Sequence, residues 1–259
     1  MTQPPVKPLA LILGAGSGAG GALALALAGR GCDLLLVDPS GNRLVALHSE
    51  CRAAGACASL FQGDLARRED RSDLLTFIRL ADAKPDIIVF IAGGSLRDPG
   101  LAAPLAQVRC LEEGGLRALD ELLRDALLPA MLREGNGYLL VLAPASHLHP
   151  TAGAVAGSAQ GGGLRNYLAA LRQGLRAKGL GVTLCACAGR FEASLCPGGQ
   201  RPAPAPVHRV VRALFARQEV VGMPAWGGVA LRMAGWPLAW AGSWLVKREH
   251  GDQVEPPSP

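Results

Sequence analysis

Tyrosine and lysine are scarce in this 259-residue chain. Tyr138 and Tyr167 are the only tyrosines, and Lys7, Lys84, Lys178 and Lys247 the only lysines. Neither tyrosine has a lysine one helical turn later; Leu142 and Leu171 stand there, and no lysine falls between Lys84 and Lys178. A tyrosine–lysine acid/base pair at helical spacing is therefore excluded. Charge is also thin, at 18% of residues with a net +5, and aromatics make up only 4%. No run of like charge interleaves with aromatics, which argues against a nucleic-acid surface. The seven cysteines (32, 51, 57, 110, 185, 187 and 196) form no C-x-x-C pair. An odd set without a framework reads as reduced thiols in a cytoplasmic protein. Cys185 and Cys187 sit two apart in an apparent strand and share a face; no histidine cluster joins them, so no metal site is expected. The amino terminus carries no signal-peptide pattern, and residues 1–8 read as a loose arm with three prolines.

What the chain does have is apolar runs of strand length. They fall at Leu9–Leu13, Asp33–Val37, Cys57–Phe61, Asp86–Ile91, Tyr138–Leu142 and Val182–Ala186. Helical patterns lie between them: Ala22–Ala28, then Leu116, Leu119, Leu123 and Leu127 ending near Pro129, then Leu164, Leu168, Leu171 and Leu175. Strands alternating with helices predict an α/β fold, a doubly wound, Rossmann-like parallel sheet in one domain over residues 9–250. A proline-rich tail, 251–259, reads as disordered. The stretch 197–206 is too rich in Pro and Gly for a helix or central strand, and reads either as a lid over a site or as a surface linker.

The run Gly14-Ala15-Gly16-Ser17-Gly18-Ala19-Gly20-Gly21 joins the first strand to the first helix. Glycines at such a turn let the backbone approach a phosphate, and a helix N-terminus offers free N–H groups and partial positive charge. This reads as a pyrophosphate cradle. Asp38 ends the second strand, where a carboxylate accepts hydrogen bonds from ribose hydroxyls and repels a 2′-phosphate. Pro39 follows it rather than an arginine, so NAD(H) is expected over NADP(H). A cap made with Ser40 is the structural alternative for Asp38.

From Gly14 through Gly29-Arg30-Gly31 to Asp38 the chain resembles the short-chain dehydrogenase/reductase family without a gap. The G-x-x-x-G-x-G spacing of Gly14, Gly18 and Gly20 is that family's. Further landmarks agree in order: Gly63-Asp64-Leu65, Phe90-Ile91-Ala92-Gly93, Leu127-Leu128-Pro129-x-Met131 and Ala188-Gly189. The resemblance spans about residues 9 to 250 and implies cofactor contacts at Gly14, Ser17, Gly18, Ala19, Gly20, Asp38, Asp64, Leu65, Ala92, Gly93 and Gly94. It also implies a homodimer or homotetramer.

The family's catalytic residues are an asparagine, a serine, a tyrosine and a lysine. Counted along this chain, those positions fall on Leu116, Pro144, Gly157 and Gly161. Tyr167 lies ten residues beyond Gly157, roughly 15 Å along a helix. Substitute candidates are Ser146 and His147 in the loop after the fifth strand, where a histidine is a general acid near neutral pH. A solvated loop histidine is the plain alternative. Arg190, Gln160 and Arg165 are further polar candidates near the same end. Gly161-Gly162-Gly163 weaken a helix, and read either as close packing against a partner chain or ligand or as a late helix start.

All four tryptophans fall between residues 226 and 244, and Trp236, Trp240 and Trp244 share a helical stripe. The segment 226–246 is read as packing over a cleft or a subunit interface, with a membrane-surface contact through 226–248 as the alternative. A wide apolar cleft would suit a small, apolar ligand. The whole reads as an NAD(H)-binding protein without the usual acid/base pair, a non-standard or inactive short-chain dehydrogenase. Two alternatives stay open: an active NAD-dependent oxidoreductase on a carbonyl or alcohol using His147, and a non-redox lyase or isomerase on the same scaffold.

Overall fold

The computed structural model describes residues 7–92, 113–145, 155–188, 190–195 and 198–222. The fold is that of the unit Met1–Met223. Residues 224–259, and with them the tryptophan-rich segment 226–246 and the tail, lie outside the described residues.

Seven parallel strands form one sheet in the order β3-β2-β1-β4-β5-β6-β7. They are β1 (Leu9–Leu13), β2 (Asp33–Asp38), β3 (Ala58–Gln62), β4 (Ile87–Ile91), β5 (Gly137–Pro144), β6 (Leu180–Cys187) and β7 (Val220–Gly222). The chain reverses direction across the sheet between β3 and β4, so β1 lies between β2 and β4, with Leu13 level with Val37 and Phe90. The doubly wound α/β expectation is met. β7 was not anticipated: three residues at a sheet edge, only Val221 of them buried, carry too little apolar signal.

Helices cover both faces. They are α1 (Gly18–Ala28), α2 (Gly41–Ala53), α3 (Arg68–Leu80), α4 (residues 113–134), α5 (Val155–Leu175), the single turn α6 (Arg190–Ala193) and α7 (Pro204–Phe215). Alternation along β1 sets the two cores. Ala10 and Ile12 face α1, α2 and α7 through Leu23, Leu27, Leu44 and Val210. Leu11 and Leu13 face α3, α4 and α5 through Leu74, Leu119, Leu123 and Leu168. Buried on both sides, β1, β2, β4, β5 and β6 read as near-continuous apolar runs, as parallel strands do, while β3 and β7 at the sheet edges are partly exposed.

Three helix expectations need correction. α4 does not end near Pro129 but runs on to Glu134. A wide π-type turn at Leu123–Leu127 precedes the proline, which opens the last α-helical segment from its first turn, where a missing N–H costs little. α5 begins at Val155, so Gly161-Gly162-Gly163 lie inside it and the late start is ruled out. Within the chain itself these glycines are not tightly packed: a Cβ at Gly162 would meet nothing within 4 Å, and one at Gly163 would only touch Leu116 Cδ2 at 3.7 Å. The stretch 197–206 also contributes structure, since Pro204 and Pro206 open α7.

Candidate functional site: the carboxyl edge of the sheet

The glycine run leaves β1 at the carboxyl edge and turns at once into α1. Gly14 adopts φ +92° and donates its N–H to Val37 O at 2.9 Å. A side chain there would be strained by the left-handed backbone and would put its Cβ 2.9 Å from Ile91 Cβ on β4. Ser17 is the N-cap of α1: its Oγ accepts from the Gly20 N–H at 2.9 Å and donates to Gly14 O at 2.8 Å. The loop is thus held on three sides by β1, β2 and β4.

Asp38 is 5% exposed at the end of β2. Its Oδ2 accepts from the Gly16 N–H at 2.8 Å and its Oδ1 from the Ser40 N–H at 2.9 Å. The cap with Ser40 is therefore present, and the same carboxylate also braces the glycine run. Each carboxylate oxygen keeps a further acceptor position. Asp64 is exposed beyond β3, with its Oδ1 accepting from the Ala66 N–H at 3.0 Å. Leu65 is half-buried against the α3 side of the sheet. Ala92 is buried after β4, its N–H donating to Leu142 O at 2.8 Å. Gly14, Ser17, Gly18, Ala19, Gly20, Asp38, Asp64, Leu65 and Ala92 thus line the carboxyl ends of four neighbouring strands. Gly93 and Gly94 lie outside the described residues.

Two groups at this edge were not anticipated. Gly198–Arg201 lies on the glycine run. A Cβ at Gly18 would overlap the carbonyl oxygens of Gly199 and Gln200, and the Gly198 N–H points to Gly16 O at 3.5 Å. The Ala19 N–H, at the mouth of α1, donates to Ser194 O at 2.9 Å. Arg201 then reaches Glu50 on α2 with two contacts, at 2.5 and 2.8 Å. The hydrogen bond from Arg201 holds the Glu50 carboxyl below its ordinary range. No short-range pattern announces contacts between residues so distant in sequence, although the lid reading of 197–206 allowed for them. The second group is Arg71, 2% exposed, whose Nε donates to Glu121 at 2.7 Å and whose Nη1 donates to Leu65 O at 2.8 Å. It ties the turn after β3 to α4.

The other half of the edge carries fewer of the expected side chains. Pro144 ends β5 opposite Cys187. Leu116 packs into the α4–α5 side of the core. Gly157 and Gly161 lie in α5. Tyr167 is not directed to the edge: its hydroxyl donates to Asp120 on α4 at 2.7 Å, and Arg124 meets the same oxygen at 2.6 Å. Burial, then the bond to Asp120, pushes the phenol well above its ordinary value. Tyr138 sits at the opposite end of β5, edge-on to Phe215 with the Arg217 guanidinium 5.3 Å from its ring centre. Arg165 is exposed on α5. Ser146 and His147 lie outside the described residues, as do the side chains of Gln160 and Arg190.

Cys185 and Cys187 share one face of β6 as expected, buried with their sulfurs 3.7 Å apart. Among the described residues no group of three or more His, Cys, Asp or Glu could hold a metal ion, and no helix is long and apolar enough to cross a membrane.

The family model for short chain dehydrogenases matches residues 8–194. The chain belongs to the short-chain dehydrogenase family. No curated protein sequence matches it. Solved structures share its fold. A short-chain dehydrogenase from Sphingobium yanoikuyae in complex with NADPH is 22% identical, with a TM-score of 0.74 over 97% of this chain and 99% of that one. A short-chain dehydrogenase from Streptomyces avermitilis is 18% identical, with a TM-score of 0.78 over 97% of this chain and 100% of that one. The bulky-bulky ketone specific alcohol dehydrogenase from Comamonas testosteroni is 20% identical, with a TM-score of 0.74 over 97% of each chain.

Proposed function

We propose that this protein binds NAD(H) along the carboxyl edge of β1–β4 and does not exchange carbonyls and alcohols by the tyrosine-based chemistry usual in its family. The lining fits a dinucleotide in kind. The turn at Gly14 and the bare Cα of Gly18, against which the Gly199 and Gln200 carbonyls rest, are of the kind that admits a close approach once that segment is displaced, and the N-terminus of α1 suits a diphosphate. Asp38 stands where ribose hydroxyls would donate, and its charge disfavours a 2′-phosphate. The relatives named above include one in complex with NADPH, so the preference rests on Asp38 alone. A bound nicotinamide dinucleotide supplies the hydride chemistry itself. The chain contributes position and, where it acts as a reductase, a proton.

That proton is what the second half of the proposal concerns. The observation that carries it is the placement of the two tyrosines. Tyr167 has committed its hydroxyl to Asp120 between two helices, and Tyr138 lies at the far end of β5. At the positions the family pattern assigns to acid/base work stand Leu116, Pro144, Gly157 and Gly161, none with a titratable group.

Calorimetric titration with NADH, NAD+ and NADPH tests the first half, with NADH expected to bind more tightly than NADPH. Absence of binding by all three, or tighter NADPH binding, would overturn it. A panel of ketones and alcohols tests the second half; turnover abolished by Tyr167→Phe would sink it.

A further inference from the structure

We propose that the segment Gly198–Arg201, together with the Ser194 carbonyl, is an internal occupant of the dinucleotide cradle, held shut by the Arg201–Glu50 ion pair. The nucleotide binds only after this clasp opens. The inference rests on the dinucleotide reading above and adds a regulated state to the same site.

Chemical likeness is the first argument. The N-terminus of a helix offers N–H groups without intrahelical partners and partial positive charge, and it favours oxygens that carry negative charge. In this structure main-chain carbonyl oxygens of the protein itself converge on that of α1. Ser194 O accepts the Ala19 N–H at 2.9 Å. Gly199 O and Gln200 O press on the bare Cα of Gly18. A diphosphate bound at the mouth of α1 would need the Ala19 N–H and the space over Gly18 that these oxygens take, so it and the segment exclude one another.

Construction is the second argument. A loop that merely rests on a neighbour needs no anchor on a different helix. Here Arg201 lies across the start of α1, with its Nε 3.4 Å from where a Gly21 Cβ would stand, and grips both oxygens of Glu50 on α2. The Arg43 guanidinium, also on α2, lies against Gly198, 3.2 Å from where a Cβ would stand. The segment is thus anchored to α2 at Arg201 and lies beside α2 at Gly198, while its Gly199 and Gln200 carbonyls lie against Gly18 of α1. Both partners of the clasp are roughly half exposed, with side-chain exposures of 44% and 43%. Such a pair is weak enough to open and bidentate enough to have one geometry.

Arg201→Ala, Glu50→Gln and the charge-reversed pair Glu50→Arg/Arg201→Glu test this in the full-length protein, using NADH and stopped-flow fluorescence. Each single change is expected to lower the dissociation constant about threefold to fivefold, the range an exposed ion pair can supply. The gain should appear in the association rate. The reversed pair should bring binding back toward that of the unaltered protein. Without nucleotide, amide hydrogen exchange at Ala19 should be slow in the unaltered protein and faster in both single variants. If the unaltered protein binds NADH and the variants change neither its binding nor Ala19 exchange, the clasp is refuted while the dinucleotide reading stands. If Ala19 exchange responds but no variant binds a dinucleotide, the cradle is closed for another purpose and both readings fail.

Discussion

α1 and α5 are both glycine-rich helices beside the same sheet, and their glycines do opposite things. In α1 the bare Cα of Gly18 is pressed by the backbone of Gly199 and Gln200, and a Cβ at Gly20 would overlap Gly14 O. In α5 a Cβ at Gly162 or Gly174 would meet nothing within 4 Å. Glycine inside a helix costs about 1 kcal/mol relative to alanine. In α1 that cost is offset by contacts no other residue permits. In α5, at these positions, no contact in the described structure offsets it. One edge of the site is thus kept tightly specified, while Gly162 and Gly174 on α5 are specified by no close contact within the described residues.

The contrast can be broken by substitution. Gly14→Ala should have the largest effect, since it adds both a left-handed strain and a Cβ contact rooted in the β4 backbone. We expect a loss of about 2–4 kcal/mol, read as a lowered urea midpoint. Asp38→Asn should follow, at about 1–3 kcal/mol, because one of two buried charge-assisted acceptors is replaced by an amide N–H2 that cannot accept. It should also narrow the difference between NADH and NADPH binding; an unchanged ratio would remove Asp38 from nucleotide selection. Tyr167→Phe should cost about 1 kcal/mol for the bond to Asp120 and leave NADH binding alone. Gly162→Ala should stabilise the protein by up to about 1 kcal/mol, the reverse in sign of the Gly14 substitution; destabilisation would reveal packing at that face.

Acid should act on the clasp most gently. Arg201 depresses the Glu50 carboxyl, so the ion pair's contribution is complete above the ordinary value of 4.5 and is lost as pH falls through the lower, folded value. Ala19 exchange, corrected for its intrinsic pH dependence, should stay protected at about pH 6 and lose protection only below about pH 4.

Periodicity and turn chemistry made much of this molecule legible before its structure. Six apolar runs became β1–β6, because a parallel sheet covered on both faces demands uninterrupted Leu, Ile and Val. Asp38 and the Gly14–Gly20 spacing were readable because both partners of each interaction lie within one strand–helix–strand unit. What escaped prediction is local weakness or long-range contact. β7 has one buried residue. Pro129 looks like a stop until the wide turn before it is seen. Arg71 looks like any surface arginine of an amphipathic helix, yet Glu121 and Leu65 O draw it inside. The partnership of Arg201 with Glu50 joins residues 151 apart, a separation at which no spacing rule operates.

The position of β1 has a consequence for the order in which the molecule is made. Its loop leaves the ribosome ahead of its partners, for Gly14 needs Val37 and Ile91 around it, and Ala19 is matched to Ser194. During synthesis the motif is not complete until Ser194 has emerged. A parallel sheet with its founding strand in the middle cannot fold from its beginning. The cradle is written ahead of the strands and the carbonyl that complete it.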